Sequence, residues 1–107
     1  MKVLLKESKA QEPFSFSFVN DAGKVVVKSE NYKAKPSAVN GIESVKKNCQ
    51  NDARYELKES KNGKFFFNVK ASNGQIVGTS ALFGSEAERG AAIDDLKAKG
   101  PDAAVES

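Results

Sequence analysis

Histidine is absent from the 107 residues, and cysteine occurs once, as Cys49. The first absence removes the commonest general base and the commonest metal ligand. Together the two exclude a thiolate–imidazole catalytic pair and a structural zinc site, and a lone cysteine excludes an intramolecular disulfide. Long apolar runs are missing as well. Val3-Leu4-Leu5 is followed at once by Lys6, too short for the apolar region of a signal peptide. No stretch approaches the roughly 20 apolar residues of a membrane span. The glycines are dispersed singly, so none forms a phosphate-cradling loop of the Walker or dinucleotide type. Charge of one sign is scarce too: the net charge is +3 at pH 7, weak ground for a polyanion partner. These absences predict a cytoplasmic protein with no cofactor, no metal and no membrane partner.

What is present is a sequence that repeats itself. Lys6-Glu7-Ser8-Lys9 returns as Lys58-Glu59-Ser60-Lys61, and Phe14-Ser15-Phe16-Ser17-Phe18 as Phe65-Phe66-Phe67-Asn68-Val69. Gly23-Lys24-Val25-Val26 returns as Gly74-Gln75-Ile76-Val77, and Ser29, Tyr32, Ile42, Val45 and Lys46 as Ser80, Phe83, Ile93, Leu96 and Lys97. A unit of about fifty residues buries too little surface to be stable alone, so two copies are expected to share one core. The reading is one pseudo-symmetric domain over residues 1–107, with repeat one at 1–53 and repeat two at 54–107. The charge excess lies in repeat one, which has nine Lys against six acidic residues; repeat two is balanced.

Each copy reads as three strands and a helix. Phe14, Phe16 and Phe18 alternate with serines at the period of a strand. Asp21-Ala22-Gly23 and Asn73-Gly74 are turns. Asn62-Gly63 reads as a two-residue hairpin with positive φ at both central positions. Pro36 opens the first helix, whose stripe is Ala38, Ile42, Val45 and Cys49. Ser85-Glu86-Ala87-Glu88 is a capping box for the second, which should end at Gly100-Pro101. Ala34 stands where Ser85 stands, so the first helix lacks this cap. The first hairpin carries one extra residue and should be less regular. Short hairpins make the strands antiparallel. The fold class is therefore α+β: two tandem β3-α-β repeats sharing a single, mainly antiparallel sheet, with two helices on one face. The expected core is Val3, Leu5, Phe14, Phe16, Phe18, Ile42 and Val45, with Tyr55, Leu57, Phe65, Phe67, Val69, Ile93 and Leu96.

The run Asn40-Gly41-Ile42-Glu43-Ser44-Val45-Lys46-Lys47-Asn48, with Asn73-Gly74-Gln75-Ile76-Val77-Gly78-Thr79-Ser80 and the tandem layout, resembles the YegP-like family of small bacterial proteins of unknown function. The resemblance covers essentially the whole chain. It implies copies assembled into one continuous sheet with last strands exchanged between units, so that a tandem member forms a pseudo-dimer within one monomeric chain. Ala53 to Glu59 would hold the first unit's last strand, the second unit's first strand, or both; Ala103 to Ser107 would be the second unit's last strand. No catalytic or ligand-binding residues carry over from the family.

Residue by residue, chemistry is sparse. Cys49 ends a helix stripe, where the partial negative charge of a helix C-terminus disfavours a thiolate. Asp94 and Asp95 are adjacent on a helix and point apart, so with Asp102 they read as surface carboxylates. Asn40-Gly41 inside a helix reads as close packing of helix on sheet, with Ala92 the small counterpart of Gly41. The remaining candidate is the sheet face away from the helices, which presents Lys6, Ser15, Ser17, Lys58, Phe66, Asn68 and Lys70. Facing of the third strands is open: if Val25 and Ile76 point inward, Val26, Lys28, Val77 and Thr79 join it. The candidate binding surface is Lys6, Lys28, Lys58, Phe66, Asn68 and Lys70. The functional reading is a small non-enzymatic binding or interaction module with a protein partner. The alternative is weak single-stranded nucleic-acid binding, with bases stacked on the exposed aromatic.

Overall fold

The computed structural model describes residues 1–106. Seven strands, β1 (Lys2–Glu7), β2 (Phe14–Val19), β3 (Val25–Lys28), β4 (Tyr55–Glu59), β5 (Phe65–Lys70), β6 (Ile76–Ser80) and β7 (Ala104–Glu106), form one sheet in the order β4-β5-β6-β3-β2-β1-β7. All neighbours are antiparallel except β1 and β7. Two helices, α1 (Lys35–Asn48) and α2 (Glu86–Lys99), cover one face. The two repeats join at β3 and β6, where Lys28 lies opposite Thr79, its own counterpart in the second copy. An approximate two-fold axis therefore passes through this pair.

The last strand of repeat two is exchanged: β7 crosses the molecule to pair in parallel with β1 of repeat one. Repeat one has no such strand: after the 3-10 turn Asp52–Arg54 the chain runs directly into β4, whereas the 3-10 turn Gly100–Asp102 of repeat two leads into β7. This inequality corrects one core expectation. Leu5, on a strand flanked on both sides, is 7% exposed, whereas its counterpart Leu57, on the edge strand β4, is 56% exposed. The rest of the expected core, Phe65 apart, is present. Val3, Phe16, Phe18, Ile42, Val45, Phe67, Val69 and Leu96 are buried, and Phe14, Tyr55 and Ile93 pack against them half-buried. Phe65 is half-buried under the Arg89 guanidinium, 5.3 Å from its ring centre.

Three hairpins share one geometry, and it is not the two-residue one. Gly63 N–H donates to Ser60 O at 3.1 Å and Ser60 N–H to Lys64 O at 2.7 Å. The same pair of bonds joins Asn20, Gly23 and Lys24, and again Ala71, Gly74 and Gln75. Only the glycines have positive φ, at 81°, 75° and 84° for Gly23, Gly63 and Gly74. Each is a three-residue loop in which a type I turn is followed by a left-handed glycine, so Asn62 and Asn73 need no positive φ. The β1–β2 hairpin has no glycine; Ser8 N–H reaches Pro13 O across the longer loop.

A bulge in each copy settles the facing of the third strands. Phe18 opposes Val27 and Val19 opposes Val25, leaving Val26 as the extra residue. Val26 and Val27 both enter the core, while Val25 is 40% exposed on the other face. In repeat two, Val77 is extra between Gly78 and Ile76, and Ile76 is 44% exposed. Val25 and Ile76 therefore point outward. The repeated serines close the sheet at the end of each third strand: Ser29 Oγ accepts from Phe16 N–H and Ser80 Oγ from Phe67 N–H, both at 2.9 Å.

The helix starts differ as expected. Ser85 Oγ accepts from Glu88 N–H, and the Glu88 carboxylate accepts from Gly84 N–H, one residue earlier than a standard capping box. Ala34 offers α1 no side-chain cap.

Candidate functional site

Cross-strand register places the open-face candidates. Glu56, Asn68, Thr79, Lys28, Ser17, Leu4 and Glu106 form one row across all seven strands. Lys58 lies opposite Phe66, and Lys6 opposite Ser15. The six expected residues do share a face, but they do not converge. Lys6 and Lys58 stand five strand spacings apart, about 24 Å. Asn68 is 5% exposed and bonded within the row: its amide donates to Glu56 at 2.9 Å and its oxygen accepts from Thr79 at 2.8 Å. Lys70 is paired with Glu56 at 2.9 Å, and those bonds hold the Glu56 carboxyl below its ordinary range. Lys6, Lys28 and Lys58 make no ion pair among the described residues, and Phe66 is half-buried beside Lys58.

Cys49 is buried. Its thiol donates toward Lys46 O and Leu96 O, and burial pushes its pKa up to about 11. The neighbouring Tyr55 hydroxyl donates to Cys49 O at 2.6 Å, and burial raises its pKa as well. No group of three metal-ligating side chains is assembled among the described residues, and Asp94 and Asp102 are exposed.

The helix-bearing side holds two cavities that two-fold symmetry would make alike. Each lies where a helix passes the glycine hairpin of the other repeat. Beside α2 the corner is bridged: Lys99 Nζ pairs with Asp21 of the hairpin at 3.1 Å and with Asp95 at 3.6 Å. Asp21 also accepts from the N-terminal ammonium at 2.8 Å. These hydrogen bonds draw its pKa from 3.8 to about 2. Beyond this bridge an apolar groove of about 800 Å³ runs toward the start of α2, lined by Val26, Leu82, Phe83, Ala91 and Ala92.

Beside α1 the corner is open and polar. Asn48, Ser44 and Ser72 replace Lys99, Asp95 and Asp21. Asn48, 8% exposed, donates to Ser44 O at 2.8 Å and to Ser44 Oγ at 3.2 Å. Its own oxygen accepts from Arg54 Nε at 3.1 Å. A cavity of about 400 Å³ remains, lined by Asn40, Glu43, Ser44, Lys47, Arg54 and Ser72, among others. Asn40, Ser44, Lys47 and Asn48 fall at helical spacing on one face of α1. Sequence reasoning fixed on Gly41 in this motif and passed over that polar face. The period was there to be read, and Asn51, whose side chain accepts from Ala53 N–H, marks the 3-10 turn; that this turn aims Arg54 at Asn48 was not legible.

Fold and corners together define a class: a tandem β3-α-β protein whose two halves share a sheet and differ at their helix–hairpin junctions. The chain belongs to the family described as Domain of unknown function (DUF1508), the YegP-like family, whose profile matches residues 10–56 and again 60–107. It is 44% identical over 104 residues to a UPF0339 protein of Pseudomonas aeruginosa, covering 97% of this chain and 94% of that one. The solution NMR structure of a UPF0339 protein from Shewanella oneidensis superposes with a TM-score of 0.91 at 37% identity, over 98% of this chain and 88% of that one. That of YegP from Escherichia coli, a protein of unknown function, gives 0.90 at 37% identity, over 98% and 90%. These relatives indicate no specific function.

Proposed function

We propose that the protein is a non-catalytic binding module, monomeric and cytoplasmic, that engages a protein partner through the open face of its sheet. The observation supporting this reading is that the seven-stranded sheet has helices on one face only, while the other carries Lys6, Lys28 and Lys58 without ion-pair partners among the described residues. Exposed lysines of this kind steer an acidic surface and contribute mainly to association rate. The test is a pull-down from native cytoplasm with the wild type and with Lys28→Glu/Lys58→Glu. Partners captured by the wild type should be lost in the charge-reversed protein. Equal capture by both would overturn the open face as the contact surface.

A second reading, weak single-strand nucleic-acid binding, is favoured by one contact: Lys58 directly opposite Phe66. It predicts oligonucleotide binding that falls steeply with salt and is lost in Phe66→Ala. Absence of binding at low salt ends it.

A further inference from the structure

We propose that the open corner beside α1 binds a small molecule through an oxyanion, a carboxylate or a phosphate group, gripped by Arg54 and Lys47. The site lies on the helix-bearing side, away from the open sheet face, and does not rest on the function proposed above. Its volume of about 400 Å³ is within the range of small-ligand pockets.

The charged groups are left available. Neither Lys47 nor Arg54 forms an ion pair among the described residues, although both line the cavity. Lys47 also sits in the last turn of α1, where a cation complements the helix dipole, so it alone would indicate little. Arg54 is different. Its only side-chain hydrogen bond among the described residues uses Nε, which leaves both terminal nitrogens free. That bond orients the guanidinium plane, because its acceptor Asn48 is buried and pinned twice to Ser44. An arginine held by one edge offers the other as a fixed fork, which matches the two oxygens of a carboxylate or phosphate.

The other half of the molecule shows how this corner looks when its polar groups serve structure alone. There Lys99 spans from helix to hairpin and neutralises Asp21 and Asp95. In repeat one no such bridge is made among the described residues, and the cations line the cavity instead. Glu43, on the same wall, disfavours a second anionic group, so the ligand carries one oxyanion and is neutral or cationic elsewhere.

The experiment is a two-dimensional NMR titration of the full chain with inorganic phosphate and, separately, acetate, each against chloride at matched ionic strength. Saturable millimolar shifts are expected at the Asn48 side-chain amide and the Lys47 and Ser72 amides. Saturation by phosphate alone assigns a phosphate ligand, and by acetate alone a carboxylate. Arg54→Gln should weaken binding at least about tenfold, the usual loss for a charge-assisted bond. Lys47→Gln, at an exposed position, should weaken it less, and Lys61→Glu, exposed in the β4–β5 hairpin at the far end of β5, should leave it unchanged. Diffuse, non-saturating shifts that persist in Arg54→Gln, or no shift with either anion, would overturn the proposal.

Discussion

At the scale of single residues, the most confined glycine is Gly41, which packs against Tyr32. A Cβ built on Gly41 would stand 2.6 Å from the Tyr32 hydroxyl oxygen and 2.9 Å from Phe16 Cε2. Tyr32 stacks on Phe16 with ring centres 6.3 Å apart, as Phe83 stacks on Phe67 at 6.3 Å. Where repeat one pairs a tyrosine with a glycine, repeat two pairs a phenylalanine with Ala92. The hydroxyl of one copy takes the space of the methyl in the other. Gly41→Ala should therefore destabilise by about 1–3 kcal/mol despite the better helix propensity of alanine, because overpacking outweighs it. Adding Tyr32→Phe should recover part of the loss. Urea denaturation of the two single variants and the double variant gives the coupling, and additive effects would show that the two positions do not share this space. The small residue was legible in the sequence; its partner was not, since Tyr32 lies outside any regular strand and meets Gly41 only in the folded chain.

At the scale of elements, the two helices differ in how they begin. Ser85 caps α2 with a 3.1 Å bond to Glu88 N–H, while α1 starts from Ala34 in extended geometry with nothing to offer. Ser85→Ala should cost about 1 kcal/mol, and Ala34→Ser should stabilise by about 0.5–1 kcal/mol. Thermal denaturation of each variant checks the pair, and a destabilised Ala34→Ser would mean that α1 is capped in some other way. These starts were legible because caps are local. The hairpins were legible in place but not in type: a glycine marks the turn, yet the choice between two and three loop residues depends on which residues pair across the strands. The third strands were legible as strands but not in facing. A bulge at Val26 and another at Val77 break the period of two, and no alternation along valines records that break.

At the scale of the whole molecule, the ends of the chain are tied together through Asp21, which bonds both the N-terminal ammonium and Lys99 near the end of α2. Its pKa is lower folded, at about 2, than the ordinary 3.8. The stabilisation is therefore complete above about pH 4 and lost as pH falls toward about 2, because the unfolded chain takes up the proton first. Asp21→Asn should flatten the change in urea midpoint across that window. The difference should shrink in high salt, since the groups are exposed. A slope unchanged by the substitution would remove Asp21 from the acid response. The sequence by itself determined the duplication, the strand and helix content, most of the core and the family, because these rest on local period and on residues that recur. Only the tertiary structure decided that the halves are unequal. β7 crosses to β1 and leaves Leu57 uncovered at the opposite edge; Lys99 closes one corner, and Asn48 holds Arg54 at the other. The first two depend on contacts between segments far apart in the chain, for which neither segment carries a signal of its own; the third depends on the course of the 3-10 turn that brings Arg54 back onto Asn48.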